Sequence, residues 1–275
     1  MVNLTDQRMH DTPAEPRKML TKDSEGQARK FQWSYQTVVG MLNYLCITRP
    51  EILFAVHQCA CFSIDPWLSH EIAVKRLVHY LKRTQNEGLI LTPIMSVGIS
   101  CYVDADFAGA WDQEDSADPC SVYSRTGYVI MYANCPILWV SKLQTEIALS
   151  TTEAEYIALS QAMRDLIPLM TLVEEVSVIL QIEYSVPEVQ YKCNKTTISA
   201  DVYEDNRGAQ ELANFPKLRP RTKHIALKYH HFREHVRNGR VRIHAIDTRE
   251  QLADIFTKAL PRDAFQYLRH KICGW

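Results

Sequence analysis

Residues 99–109 read Ile-Ser-Cys-Tyr-Val-Asp-Ala-Asp-Phe-Ala-Gly and place an apolar run directly before two acids. The run predicts a β-strand that ends at Asp104, because its residues favour extended backbone. Two explanations of this acid stay open. Asp is a common turn residue at a strand end, and strand ends are also where ligand sites are built in open α/β sheets. Asp106 could equally take the functional role.

The segments after this strand predict a mixed sheet. Strands at residues 127–132 and 137–140 are separated by turn-like residues and indicate a hairpin. Alternating elements follow, with strands at 198–203 and 241–246 and helices at 152–180, 208–213, 222–236 and 249–260. Pro168 should kink the long helix. Three strands followed by alternation indicate an α/β fold whose sheet has an antiparallel portion.

The chain before residue 94 has a different organisation. Residues 1–30 are polar and contain proline, which is typical of an irregular or disordered lead-in. Apolar residues then recur at helical spacing in three runs, with breaks at Thr48-Arg49-Pro50 and Asp65-Pro66. We therefore expect a small helical domain over residues 31–93 and an α/β domain over residues 94–275.

Composition restricts the classes of function. The net charge is -1 and the apolar content is 46%, as in ordinary soluble domains. No stretch approaches the roughly 20 apolar residues of a membrane helix, and the N-terminus has no apolar segment typical of a secretory signal. The eight cysteines form no CxxC pair, so no zinc or thioredoxin-like site is indicated. Their scatter favours a reducing, intracellular compartment.

Three more acids lie at the ends of predicted elements. Glu155 and Asp254 fall in first turns of helices, and Asp205 follows a strand. Each has a simpler explanation as a cap or as an acid favoured by the helix dipole. If they converge with Asp104, an oxygen-only ligand set suits Mg²⁺ or Mn²⁺ better than zinc. Spacing alone does not establish that convergence.

The Glu155 position is ambiguous in a specific way. Thr152 and Glu155 form a capping-box pattern, and so do Ser150 and Glu153. Either Glu could therefore serve as a cap, which leaves the other free for a different role.

Residues 217–244 are strongly basic. They contain nine Lys or Arg and five His against one acid, Glu234. A run of charge is usually a solvated helix face. The shortage of acids for ion pairs favours a surface that contacts phosphates.

A family resemblance rests on these same stretches. Five blocks stand in order along the chain: residues 102–109, 149–159, 204–206, 221–225 and 251–260. Together they resemble the ribonuclease H domain of copia-type retrotransposon polyproteins. Residues 35–40, 48–50 and 70–82 are similar to the thumb or connection segment that follows the polymerase palm in those polyproteins.

The resemblance implies a ribonuclease H-like fold, a five-stranded mixed sheet flanked by helices, preceded by a small helical domain. It also implies that Asp104, Glu155, Asp205 and Asp254 are catalytic metal ligands for two Mg²⁺ or Mn²⁺ ions per site. Glu155 is preferred because its Glu-Tyr-Ile-Ala context resembles that of related ribonucleases H. Glu153 is the alternative.

The implied function is that of a two-metal endonuclease that hydrolyses the RNA strand of RNA–DNA hybrids within a reverse transcriptase. The polymerase Tyr-x-Asp-Asp motif is missing, so no polymerase activity is expected. The expected partners are the hybrid and the polymerase part of the same polyprotein, without a membrane. The alternative is a catalytically weak remnant that acts as a nucleic-acid-binding or structural connection module.

Contacts to nucleic acid would come from the basic segment. The candidate residues are Arg221, Lys223, His224, Lys228, Arg233, Arg237 and Arg240. The resemblance further implies a cytoplasmic location in a retrotransposon particle, with the nucleus as a second compartment.

Overall fold

The computed structural model describes residues 10–22, 26–30, 32–109, 119–180, 189–190, 196–214 and 227–275. Its main strands are β1 (Ile99–Asp106), β2 (Arg125–Tyr132), β3 (Cys135–Leu143), β6 (Ala200–Glu204) and β7 (Val241–Ala245). They form a five-stranded sheet in the order β3-β2-β1-β6-β7. The first three are antiparallel, whereas β6 and β7 run parallel to β1. A separate two-stranded pair, β4 (Val189–Gln190) with β5 (Thr196–Thr197), was not predicted.

Helices precede and follow the strands. The N-terminal ones are α1 (Tyr35–Leu45), α2 (Leu53–Ala60) and α3 (Leu68–Arg83), with a 3₁₀ turn at Pro50–Ile52. The others are α4 (Thr151–Leu180), α5 (Arg207–Asn214), α6 (Arg233–Arg237), α7 (Asp254–Thr257) and α8 (Arg262–Cys273). Further 3₁₀ turns lie at Pro119–Val122, Leu227–His230 and Thr248–Glu250. The described elements confirm the predicted ribonuclease H-like architecture, because helices cover both faces of a five-stranded mixed sheet.

One face of the sheet is covered by α4. Alternate residues of β1, such as Cys101 and Val103, point into a core that also contains Leu159 and Met163 of α4. Pro168 lies inside α4 without ending it. The predicted long helix is therefore confirmed, and it carries the Glu153 and Glu155 region to the carboxyl end of β1.

The other face packs against the N-terminal helices. Val129 and Met131 of β2 share a buried cluster with residues of α1, α2, α3, α7 and α8. The helical segment and the sheet thus bury one another's apolar surface. The described part of the lead-in also joins this face, since Arg17 donates its backbone N–H to Ala259. The domain limits at residues 30 and 93 stay a prediction.

A buried ion pair lies at the Thr-Arg-Pro break after α1. The Arg49 Nε donates to Glu51 at 2.7 Å, and its guanidinium also donates to the Thr84 carbonyl at 3.1 Å and hydroxyl at 2.7 Å. Glu51 is 1% exposed and accepts from the Cys273 thiol. The Arg49 guanidinium also lies over the Trp275 ring. This cluster therefore ties the end of α3 to the C-terminus of the chain.

The predicted helix over residues 249–260 is wrong in extent. The structure has a 3₁₀ turn at Thr248–Glu250, then extended backbone at Gln251, and only then α7. The physical reason is that the fully buried Gln251 side chain donates to the Val103 carbonyl at 2.9 Å. A helix through Gln251 would carry that side chain away from the sheet, so tertiary bonding wins over the helical pattern.

The predicted basic helix at 222–236 is also corrected where the chain is described. Residues 227–230 form a 3₁₀ turn, and α6 starts only at Arg233. Phe232 at the break is fully buried, and its ring packs against that of Tyr156. The break directs Phe232 into the core, which apolar burial favours over a continuous helix.

The Arg49–Glu51 pair should dominate the stability of the N-terminal helices. We expect Glu51→Gln to lower the free energy of unfolding by roughly 3–5 kcal/mol, because it leaves the Arg49 charge buried without compensation. Urea unfolding followed by circular dichroism measures this loss. The double variant Arg49→Met/Glu51→Met removes both charges and should cost less than the single variant. A double variant as unstable as the single one would contradict this account.

Candidate active site

A notch opens where β1 and β6 separate. The two strands pair only as far as Tyr102 and Tyr203. Beyond that point the Gln251 amide lies between them and donates to the Val103 carbonyl at 2.9 Å and the Tyr203 carbonyl at 3.4 Å. The following residues, including Asp104, therefore line a gap at the carboxyl ends of the parallel strands, where ligand sites of such sheets are found.

Three of the predicted acids meet in this notch. Asp104, Glu155 and Asp205 each offer a carboxylate oxygen, and these oxygens all lie within 4.8 Å of one another. Asp104 and Glu155 are buried and Asp205 is half-buried. The fold therefore brings together acids that are 51 and 50 positions apart along the chain.

The two glutamates of the α4 start have separate positions. Glu153 accepts the Leu149 backbone N–H at 2.7 Å, while its own N–H donates to Ser150 Oγ at 3.1 Å. Ser150 therefore caps α4, and the Glu153 carboxylate bonds back to the residue before the cap, which is a variant of the capping box. Glu155, in contrast, has a buried Oε2 without a hydrogen-bond partner among the described residues and lies in the notch. The structure thus places Glu153 in the cap and Glu155 beside Asp104.

Asp205 is oriented by its surroundings. Thr248 Oγ1 donates to Asp205 Oδ2 at 2.8 Å, and the next residue, Asn206, caps α5 by accepting the Ala209 N–H at 3.0 Å. Gly208 allows this cap to approach α4, because a Cβ there would lie 2.6 Å from Thr152 Oγ1. The starts of α4 and α5 are therefore held together at the rim of the notch.

Asp254 reaches the notch on α7. This short helix packs against β2 at Gly127, which is opposite Asp104 in the strand register. A Cβ on Gly127 would lie 2.6 Å from Thr257 Cγ2 and 2.9 Å from Phe256 Cβ. Only glycine permits this close approach, so Gly127 positions the helix that carries Asp254.

Two residues at the end of α7 bind the carboxylate of Asp104. Thr257, fully buried, donates its hydroxyl to Asp104 Oδ2. Lys258 Nζ lies 3.1 Å from Asp104 Oδ1 and 2.8 Å from Asp254 Oδ1. Asp254 is thus linked to Asp104 through an ammonium group and is not part of the group of three carboxylates.

A fifth acid lies in the notch. Glu204 is fully buried, its Oε1 accepts the Asn206 N–H at 3.0 Å, and its Oε2 has no partner among the described residues. Burial raises the pKa of Glu204 well above its usual value, with nearby Asp104 adding to the shift. Burial, and then repulsion from Glu204, likewise raises the pKa of Glu155.

The Asp104 charge also shifts the pKa values of Asp254 and Lys258. Burial and then the Asp104 charge raise the pKa of Asp254 to about 7. Burial alone would lower the pKa of Lys258, but Asp104 and Asp254 outweigh it, so this pKa lies above its usual value. A notch that resists the ionisation of its acids is one in which an added cation would be favourable.

The donor set fits a hard divalent cation. The candidate ligands are all carboxylates, which Mg²⁺ and Mn²⁺ prefer. Glu155, a member of the group of three, has a buried Oε2 without a hydrogen-bond partner among the described residues. Buried acceptors in proteins normally have a partner, and a bound cation would supply one here. Asp106, the alternative to Asp104, lies outside that group and pairs in register with Arg125. Burial raises the pKa of Asp106.

The predicted nucleic-acid contacts are dispersed. Arg221, Lys223 and His224 lie outside the described residues. Lys228 forms an ion pair with Glu146 at the surface. Arg237 is exposed on α6.

The other two basic candidates have intramolecular partners. Arg233 donates to Tyr156 Oη at 3.0 Å and to the Leu212 carbonyl at 2.8 Å. Arg240 pairs with Glu174 at 2.8 Å. Glu174 lies about 28 Å along α4 from Glu155, at about 1.5 Å per residue. The structure therefore does not bring Arg240 to the notch.

Sequence reasoning missed several residues of the notch. Glu204, Thr257 and Lys258 all stand inside the blocks that carry the resemblance, but none had been assigned a role. The available signal was the spacing of Asp254 and Lys258, since opposite charges four residues apart meet on a helix. The burial of Glu204 has no comparable signal in the sequence.

Comparisons with known proteins show the family of the chain. The chain is 36% identical over 238 residues to the "Retrovirus-related Pol polyprotein from transposon RE1" of Arabidopsis thaliana, a match that covers 86% of this chain and 15% of that protein. It is 33% identical over 260 residues to the polyprotein from transposon TNT 1-94 of Nicotiana tabacum, covering 93% of this chain and 17% of that protein. The chain belongs to the Pol polyproteins of copia-type retrotransposons. It spans less than a fifth of the length of these Pol relatives.

Two further comparisons concern protein-family models and solved structures. No protein-family model matches the chain. Among solved structures, an N-terminal ribonuclease H domain of Mycobacterium tuberculosis, fused to maltose-binding protein, aligns with a TM-score of 0.35 at 14% identity. That alignment covers 63% of this Pol chain and 97% of the other chain. None of the described helices has the length and apolar character that crossing a membrane requires.

Asp254 should give the metal-free protein a measurable pH dependence. Its pKa of about 7 exceeds the usual 3.8, so the folded state binds this proton more tightly than the unfolded state does. Its contribution to stability is therefore complete below about pH 4 and is lost as the pH rises through about 7. Each pKa unit corresponds to roughly 1.4 kcal/mol. We expect the melting temperature in EDTA to fall across this range.

The matched variant isolates the contribution of Asp254. In Asp254→Asn the fall of the melting temperature with pH should be smaller, because one titrating group is removed while the other acids remain. Equal pH dependence in the two proteins would show that Asp254 ionises normally in the folded state.

Proposed function

We propose that this chain is a metal-dependent endonuclease that hydrolyses the RNA strand of RNA–DNA hybrids, as part of a copia-type reverse transcriptase. The observation that supports it most is the group of carboxylate oxygens from Asp104, Glu155 and Asp205 within 4.8 Å of one another. Acids buried together in this way repel each other and are favourable mainly around a cation. The membership of the chain in the Pol polyproteins makes a nucleic acid the natural substrate.

The proposed ligands divide into two sets that share one residue. Asp104, Glu155 and Asp205 would hold one Mg²⁺ or Mn²⁺, and Asp104 with Asp254 would hold a second. Two such ions supply Lewis acidity at the phosphodiester and lower the pKa of the attacking water.

Hydrogen bonds from neighbouring residues would hold the proposed ligands in fixed positions. Thr257 fixes the orientation of Asp104 through Oδ2, which leaves Oδ1 directed into the notch. Thr248 does the same for Asp205. Gln251 keeps β1 and β6 apart at the notch. Ligands held by packing and outer hydrogen bonds need little reorganisation when an ion and a substrate bind.

Recognition of the hybrid would use its backbone. Contacts to 2′-hydroxyls distinguish RNA from DNA, whereas duplex shape selects the hybrid. Among the described candidates, the exposed Arg237 fits a phosphate contact best, and Lys228 could exchange its surface partner Glu146 for a phosphate. The polymerase part of the same polyprotein is the proposed protein partner.

The two glutamates at the start of α4 provide the sharpest test of the site. We expect Glu155→Gln to reduce cleavage of a labelled RNA–DNA hybrid in Mg²⁺ by at least about a hundredfold, as loss of a metal ligand does. Glu153→Ala should keep cleavage and instead lower stability by roughly 1 kcal/mol, because it removes the side chain that accepts the Leu149 N–H at the cap. Gel assays of cleavage and thermal melting separate the two effects.

Two further variants complete this experiment. Asp104→Asn should abolish cleavage as Glu155→Gln does, while Asp263→Asn, at an exposed acid of α8, serves as the matched control. Cleavage by Asp104→Asn at the wild-type rate would overturn the site assignment. A wild-type chain that binds the hybrid but never cuts it in Mg²⁺ or Mn²⁺ would favour the binding-module alternative.

Salt dependence should distinguish phosphate contacts from structural arginines. We expect Arg237→Ala to weaken hybrid binding and to reduce the slope of log affinity against log salt by about 1, as loss of one phosphate contact predicts. Arg233→Ala should mainly lower the melting temperature, because its guanidinium bonds to Tyr156 and Leu212. Fluorescence anisotropy at several salt concentrations measures the slope. An unchanged slope for Arg237→Ala would remove this residue from the interface.

A further inference from the structure

Lys258 occupies a bridging position inside the notch. Its ammonium lies 3.1 Å from Asp104 Oδ1 and 2.8 Å from Asp254 Oδ1. Both carboxylates have little access to solvent, with side chains 1% and 9% exposed. A cation held by two buried carboxylates is in the kind of position that a bridging divalent ion takes.

The Lys258 ammonium gives the carboxylates on the two sides of Asp104 different electrostatic surroundings. On one side, Glu155 and Asp205 converge with Asp104 and no Lys or Arg side chain is recorded within ion-pair distance of either one among the described residues. On the other side, Asp254 is neutralised by Lys258. An ion that binds with Glu155 and Asp205 meets two carboxylates without an ammonium or guanidinium partner among the described residues, whereas an ion that binds with Asp254 must replace a positive charge.

Lys258 can leave without a change of the backbone. Its side chain is 34% exposed and so reaches the notch from the rim. The four-carbon stem is flexible, while the preceding residues Ile255, Phe256 and Thr257 are buried. Asp104 would stay oriented after this departure, because Thr257 holds its other oxygen.

We propose that Lys258 is a displaceable counter-cation that makes the two metal positions unequal. The inference rests on the proposed function and adds an order of binding to it. The first divalent ion binds at Asp104, Glu155 and Asp205. A second ion binds between Asp104 and Asp254 only when the ammonium moves to the rim, where hybrid phosphates offer it another anionic partner. Lys258 is a positioning residue, since it acts through the two carboxylates.

Calorimetric titration of the full chain with Mn²⁺ tests this order without any substrate. We expect the wild type to bind one ion strongly and a second weakly. In Lys258→Met the second ion should bind at least roughly tenfold more tightly, the scale on which groups around ligands change metal affinity. The metal-free variant should also melt at a lower temperature, and Mn²⁺ should raise that temperature more than in the wild type.

Controls separate charge from folding. Lys258→Arg keeps the positive charge and should keep the second ion weak. Lys258→Gln gives a second neutral variant that retains a donor to the carboxylates, in case Lys258→Met does not fold. Lys82→Met removes an exposed lysine of α3 and should leave both affinities unchanged.

The outcomes distinguish this inference from the proposed function. A wild-type chain that binds no Mn²⁺ and cuts no hybrid overturns both. A chain that cuts the hybrid, but whose second ion binds equally in the wild type, Lys258→Met and Lys258→Gln, overturns only the role of Lys258. Loss of both ions in the neutral variants would also overturn it, because the ammonium would then support metal binding instead of opposing it.

Discussion

Repulsion between buried carboxylates is the constraint on which the rest of the notch depends. Asp104, Glu155, Glu204 and Asp254 are all buried at the carboxyl ends of β1 and β6. Like charges in such a place are weakly screened. The structure offsets the repulsion with donors from several elements, namely the Asn206 backbone, the Thr257 hydroxyl and the Lys258 ammonium. Each donor lies on a segment whose position follows from packing elsewhere.

The packing that supplies those donors extends across the molecule. Lys258 and Thr257 reach Asp104 because α7 lies against Gly127. The helix stays there because Ile255 and Phe256 belong to the core that β2 shares with the N-terminal helices. The Arg49 cluster joins α3 to the C-terminus on that same face. The helical segment thus supports the notch indirectly, although it contributes no carboxylate to it.

Prediction from the sequence succeeded where local pattern and burial agree. The five strands of the main sheet, the long α4 and the short α5 follow from periodicity, and so do the ends at which the acids lie. It failed at Gln251, whose side chain bridges two strands, and at Phe232, whose burial breaks the basic segment. In both cases one side chain gains more from a distant contact than the local helix would gain from continuing. Such contacts have no periodic signal.

The sequence by itself determined the family, the order along the chain of the strands in the main sheet and the acids at the ends of its elements, because these depend on short motifs and on the spacing of apolar residues. Only the tertiary structure separated Glu153, which closes a cap, from Glu155, which faces Asp104. It alone placed Lys258 between Asp104 and Asp254 and brought Glu204 into the notch. The physical reason is that charge interactions act through space. Lys258 and Asp104, for example, are 154 positions apart along the chain, and the local sequence around either residue does not encode their distance.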